Sequence, residues 1–165
     1  MAHLTVVVAA AAFCAFGTSA FGETWYAAGS DSSGASALNG TGTYGWRTQT
    51  GTAVKNHKPC AGNDYVIPAG VAVRSQASGD YTFLGDSLLM QGGTIGLKCS
   101  SKTLTIPNLI FDSGSIALYD SGPMYVGGNV TIRPGCTLNL SGSQTGRRVH
   151  LKSHVIGDGS TVISS

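Results

Sequence analysis

The chain has little charge. Eight acids and ten bases make up only 11% of 165 residues, against about 25% in an average soluble protein. The bases are scattered and the net charge is +2. That excludes the dense basic footprint of a nucleic-acid binder. Metal and redox signatures are also missing. Of four cysteines, Cys14 falls in the first twenty residues, and Cys60, Cys99 and Cys136 stand 39 and 37 residues apart. There is no CxxC and no nearby histidine pair, which speaks against a zinc site. No Ser/His/Asp arrangement and no phosphate-cradling loop stands out. No cofactor is expected. Only one long apolar run exists, Leu4 to Phe16. It is too short to cross a bilayer as a helix of about twenty residues.

That run has another use. Small residues follow it, and Ala20-Phe21-Gly22 offers a cleavage site before Glu23, with Thr18-Ser19-Ala20 as a second. Residues 1–22 therefore read as a secretory signal peptide, which places the mature chain outside the cell or on its surface with no membrane span left. Met1-Ala2-His3 lacks the usual basic residue. A start codon set too far downstream would explain that, and a buried strand or helix of the mature fold is the alternative. Phe13 precedes Cys14 where a lipoprotein signal wants a small residue, so lipidation is not expected. Three cysteines remain in the mature chain, enough for at most one internal disulfide. An exported chain permits one.

What the chain does have is glycine, 24 residues, roughly twice the usual share. Hydrophobic residues reach 42%, so the composition is not that of a disordered chain. Ser, Thr, Gly and Asn separate short apolar runs, the mark of short strands and many turns. From Asp64 onward these runs repeat: DYVIPAGVAV, SLLMQGGTIGL from Ser87, NLIFDSGSIAL from Asn108, NVTIRPGCTLNL from Asn129 and HVIGDGSTVI from His154. Each has a polar residue, an apolar stretch, a glycine and a second alternating stretch. A further short strand precedes each copy, YTFLG, TLTIP, MYVGG and RRVHLKS among them.

A fixed period with units unable to bury their own apolar face predicts a repeat fold. The spacing predicts an all-β, right-handed parallel β-helix (a β-solenoid) with about three short strands per coil of about 21 residues. An antiparallel β-sandwich is the competitor. The leucine-rich-repeat signature is absent. Residues 23–63 read as an N-terminal cap and leader, with Trp25, Tyr26, Tyr44 and Trp46 covering the first coil. Residues 64–165 read as the coils. The alignment places Leu88, Leu109, Val130 and Val155 in one inward column and Met90, Phe111 and Ile132 in another. It aligns Gly70, Gly93, Gly114, Gly135 and Gly159 at a bend needing positive φ. The ending STVISS falls in mid-coil. That leads us to expect truncation, with further coils and a C-terminal anchor downstream. A short chain that caps itself by dimerising is the alternative.

Enzymes built on parallel β-helices place several acids on one face. Here Asp112 aligns with Gln91 and Arg133, and Asp158 with Ser113 and Pro134. Asp86 and Asp120 have no aligned acid, so no catalytic or metal-ligating residues are assigned. Asn108 and Asn129 share a bend with Asp64, Ser87 and His154, which predicts a polar ladder. Trp25 and Trp46 are candidates for stacking on sugar rings. Arg148, His150, Lys152 and His154 alternate with Val149, Leu151 and Val155. They form a basic strip suited to an anionic polysaccharide, against the plainer reading of a solvated face. Three sequons, at Asn39, Asn129 and Asn139, matter only in a eukaryotic secretory pathway. His57 is isolated and carries no assignment.

Trp46, Lys58-Pro59, the run Gly62-Asn63-Asp64-Tyr65-Val66-Ile67-Pro68-Ala69-Gly70, and Phe83-Leu84-Gly85-Asp86-Ser87-Leu88 resemble the opening of large bacterial surface proteins. In those a tryptophan-bearing leader enters a pectin-lyase-like or autotransporter-type β-helix passenger. The resemblance implies surface display with a structural or adhesive role, toward polysaccharide or a host or matrix surface. It brings no catalytic residues. The function expected is a non-enzymatic stalk. The alternative is the first part of a polysaccharide lyase or glycoside hydrolase whose active coils lie beyond Ser165.

Overall fold

Alternating apolar residues bounded by glycine cannot close a core alone, so each short strand must find its partner in another copy of the repeat. The computed structural model shows that arrangement. It describes residues 22–30, 37–40, 44–76, 79–98, 101–119, 122–142 and 148–164. The leader reading, Cys14, Cys99 and Asp120 fall outside them. In chain order the strands are β1 (Thr24–Ala27), β2 (Trp46–Thr48), β3 (Asp64–Pro68), β4 (Ala72–Arg74), β5 (Tyr81–Thr82) and β6 (Ser87–Leu97). They continue with β7 (Thr103–Leu118), β8 (Met124–Ile132), β9 (Thr137–Gly142), β10 (Val149–Ile156) and β11 (Thr161–Ser164).

Every ladder from β3 onward is parallel. That removes the antiparallel sandwich and gives an all-β parallel solenoid. Asp64 lies beside Ser87, Leu88 beside Leu109, Asn108 beside Asn129 and Asn129 beside Ser153, steps of 23, 21, 21 and 24 residues. The first face of the coil carries β3, the start of β6, the middle of β7 and the ends of β8 and β10. The second face stacks Val73, Ile95, Ile116 and Leu140. The third stacks Tyr81, Leu104, Val126 and Leu151.

The core is the inside of this triangle. Ile67, Met90, Phe111 and Ile132 form one column, and Tyr65, Leu88, Leu109 and Val130 the next, all of them buried. The three expected strands per coil are not always separate. β6 and β7 run unbroken through bends, with register irregularities taking up the turn.

Several alignments differ from those expected: Gln91 lies beside Ser113 and not Asp112, Gly114 lies beside Leu138 and not Gly135, and two further differences reshape the surface and the core. The first is in the last coil. Leu151 lies beside Val126 but Ser153 lies beside Asn129, so Lys152 alone faces Gly127 and Gly128. One residue against two is a bulge, and a one-residue slip moves every later side chain to the other face. Ser153 therefore takes the polar corner expected for His154. His154 lies beside Val130, and Val155, expected inside, lies beside Thr131 and is 64% exposed. The second is in β6, where the positive φ belongs to Gly92 and not to Gly93. Gly93 is needed for space: a Cβ there would sit 2.4 Å from Ile67.

At the N-terminal end β1 adds a parallel strand in front of β3, and β2 runs antiparallel to β1. Trp46 is fully buried and meets Tyr65 edge-on at 4.9 Å, and Tyr65 meets Phe83 in the same way at 5.1 Å. This chain of rings fills the end of the core. The Tyr81 hydroxyl closes the same end by donating to the Leu38 carbonyl at 2.7 Å.

Candidate functional site

A parallel strand sends alternate side chains outward, so β10 offers one outer row and one inner row. Arg148, just before β10, and His150 and Lys152 on it are exposed, while Val149 and Leu151 are half-buried against the core. The strip thus holds three of its four expected members. His154 leaves it at the bulge. His150 lies on Tyr125 of the preceding coil, ring centroids 5.0 Å apart and planes within 23°. Thr103 and then Asp80 precede Tyr125 along the same outer side, and Asp80 already accepts the Thr103 N–H at 2.8 Å. Lys152 projects beside glycines 127 and 128, which raise no side chain against it. The arrangement is a flat aromatic pair edged by two cations.

The tryptophans part company. Trp46 is buried in the core and has no ring face to offer a sugar, which withdraws it from the glycan-binding candidates. Trp25 is partly buried, and its ring is stacked on His57 at 3.8 Å and 19°. One face of the indole is therefore already occupied. Its Nε1–H is buried and meets no acceptor among the described residues.

His57 belongs to a cluster that the sequence did not reveal. Its Nε2 lies 3.0 Å from the Tyr65 hydroxyl, which also accepts the Cys60 N–H at 3.1 Å. Burial lowers the His57 pKa below 6.5, with Glu23 pulling it back up. Burial likewise raises the Tyr65 pKa, against hydrogen bonds from Cys60 and Asn63. The three rings come from positions 25, 57 and 65, and no periodic signal links them. Cys60 is disulfide-bonded, and Cys136 is free. The partner of Cys60 lies outside the described residues.

The acids have an unexpected arrangement. Among the described residues none aligns with another acid. Instead each of four reaches a different group one coil away. Asp64 accepts from the Ser87 hydroxyl, Asp80 from the Thr103 N–H and Asp86 from the Gly62 N–H, and Asp112 pairs with Arg133 at 2.7 Å. The corner amide of Asn108 donates to the Asp86 carbonyl, also across coils. Aligning acid with acid misses this pattern, because the partners are hydroxyls, backbone amides and a guanidinium. Among the described residues, no group of His, Cys, Asp and Glu could hold a metal ion, and no helix is long and apolar enough to cross a membrane.

Comparison of the chain with protein-family models, curated proteins and solved structures gives no match.

Proposed function

We propose that this chain is a non-enzymatic, exported β-solenoid segment that serves as a structural and adhesive stalk. We further propose that it is a bacterial surface protein of the pectin-lyase-like, autotransporter-passenger kind. One observation carries the non-enzymatic reading: four carboxylates are engaged in bonds between neighbouring coils. A catalytic pair needs acids free to hold and move a proton, and these are each engaged with a group of the neighbouring coil. Export is supported by the apolar leader with its small-residue cleavage site. The disulfide at Cys60 also supports it, since such bonds persist in oxidising compartments. The adhesive part rests on Arg148, His150 and Lys152 beside Tyr125, a basic and aromatic surface suited to an anionic polysaccharide.

Purified protein passed over immobilised pectin, alginate and a glycosaminoglycan tests this. Retention at low salt, released by salt and lost on Arg148→Glu with Lys152→Glu, is expected. None of the three polymers should be shortened. Depolymerisation of any of them would sink the stalk reading in favour of a lyase or hydrolase.

A further inference from the structure

Hydrogen bonding at the N-terminal end depends on the protonation of one side chain. The segment between β2 and β3 lies over the first coil. It is joined to β2 by the Trp46 and Val54 backbones, which exchange hydrogen bonds of 3.4 and 2.7 Å. It is joined to β1 by the stack of His57 on Trp25, and to β3 by His57 and Cys60, both of which meet the Tyr65 hydroxyl. Tyr65 itself is fully buried. Its oxygen already takes the Cys60 N–H, so its own proton needs an acceptor. Neutral His57, with its proton on Nδ1, supplies that acceptor at Nε2. A protonated His57 would present a further donor to an oxygen already met by Cys60 and Asn63, and leave the hydroxyl proton with no partner in a buried site. Such a group is costly to leave unpaired.

We propose that His57 is an acid-sensitive latch: while neutral it holds β1, β2 and the segment before β3 onto the first coil, and on protonation it lets this cap loosen.

The charged groups around it fix the direction of the response. Glu23, next to β1, favours the imidazolium, but burial outweighs it. Asp86 of the next coil acts on Tyr65 and opposes its ionisation. The phenol therefore cannot relieve the conflict by losing its proton. Arg47 on β2 is turned away, donating to the Gln49 carbonyl and lying over the Tyr26 ring. Lys55 and Lys58, on the segment itself, are exposed. The folded cap binds the proton less readily than the unfolded chain does. Its stability is therefore complete above pH 6.5 and is lost as the pH falls below that value toward the lower folded pKa.

Amide hydrogen exchange on the whole purified chain, followed from pH 8 to pH 5 and corrected for intrinsic rates, tests the latch. Protection at residues 24–27 and 46–48 should fall at least tenfold below pH 6, while protection at 109–111 in the centre of the stack holds. His57→Gln keeps an acceptor but cannot titrate, and should flatten the response. Unchanged cap protection in the wild type at low pH would overturn the proposal. So would an equal acid response in the Gln variant. The His57 ring titration, read by NMR on the unaltered protein, is an independent check, and a midpoint at or above 6.5 also overturns it.

Discussion

At the scale of single residues, the same backbone angle has different consequences in different surroundings. Gly62 and Gly128 both have φ near +84°, a region L side chains avoid at a cost of about 1–2 kcal/mol. Around Gly62 there is nothing within 4 Å of a built Cβ, whereas at Gly128 that atom would lie 1.8 Å from the Ile106 carbonyl oxygen. Gly62→Ala should therefore lose only the conformational ~1–2 kcal/mol. Gly128→Ala should lose upwards of about 3 kcal/mol or fail to fold, as urea titrations of the pair will show. Tyr81 gives a pH test at the opposite end of the scale from His57. Burial pushes its phenol up to about 12, with Tyr65 adding to the effect. The unfolded chain ionises first, so stability declines as pH rises from 10 toward 12. In Tyr81→Phe that alkaline decline should be shallower, measured as the change in urea midpoint between pH 9 and pH 11. Neither effect could be read from the sequence. The glycine spacing identified the bends, but which glycine of the Gly92-Gly93 pair turns and which makes room was decided by Ile67 in the neighbouring coil.

At the scale of strands, the inward columns were legible wherever the period held. Met90, Phe111 and Ile132 stack as their spacing implied. β10 broke the rule because Lys152 faces two glycines, and a bulge has no signature in a pattern that counts residues only. Two substitutions separate the true inner row from the expected one. Phe111 is fully buried and Val155 is 64% exposed. Phe111→Ala should cost about 3–5 kcal/mol. Val155→Ala should stay within about 0.5 kcal/mol. Equal losses in equilibrium unfolding would contradict the register found for β10. The basic strip was legible for a related reason. Arg148 and His150 lie before the slip and Lys152 at it, so all three keep their alternation, whereas His154 lies after it. The ion pair of Asp112 and Arg133 was also visible as an alignment. With both side chains substantially exposed, it adds at most about 1 kcal/mol.

At the scale of the whole molecule, repetition made the architecture readable and left the cap obscure. Each coil restates the same inward pattern, so one error in alignment is outvoted by its neighbours. The cap occurs once. Its rings at positions 25, 46, 57 and 65 meet through chain reversals that leave no periodic trace. The sequence placed tryptophans there without distinguishing the one sealed in the core from the one against a histidine. The same contrast governs unfolding. Coils that touch only their neighbours share stability along a line, while the cap meets the stack at one end only.

The parallel ladders also give the rod a mechanical grain. In parallel ladders the bonds between strands are evenly spaced and slanted, and here they run from each coil to the next, along the axis of the stack. A pull along the axis loads the bonds of one coil at a time, so the structure unpeels from an end in small yielding steps. Each coil of 21 to 24 residues would release roughly 70–80 Å of chain. A pull across the axis loads many bonds together in shear and meets far more resistance. The stack is therefore softer along its axis than across it, and yields one turn at a time.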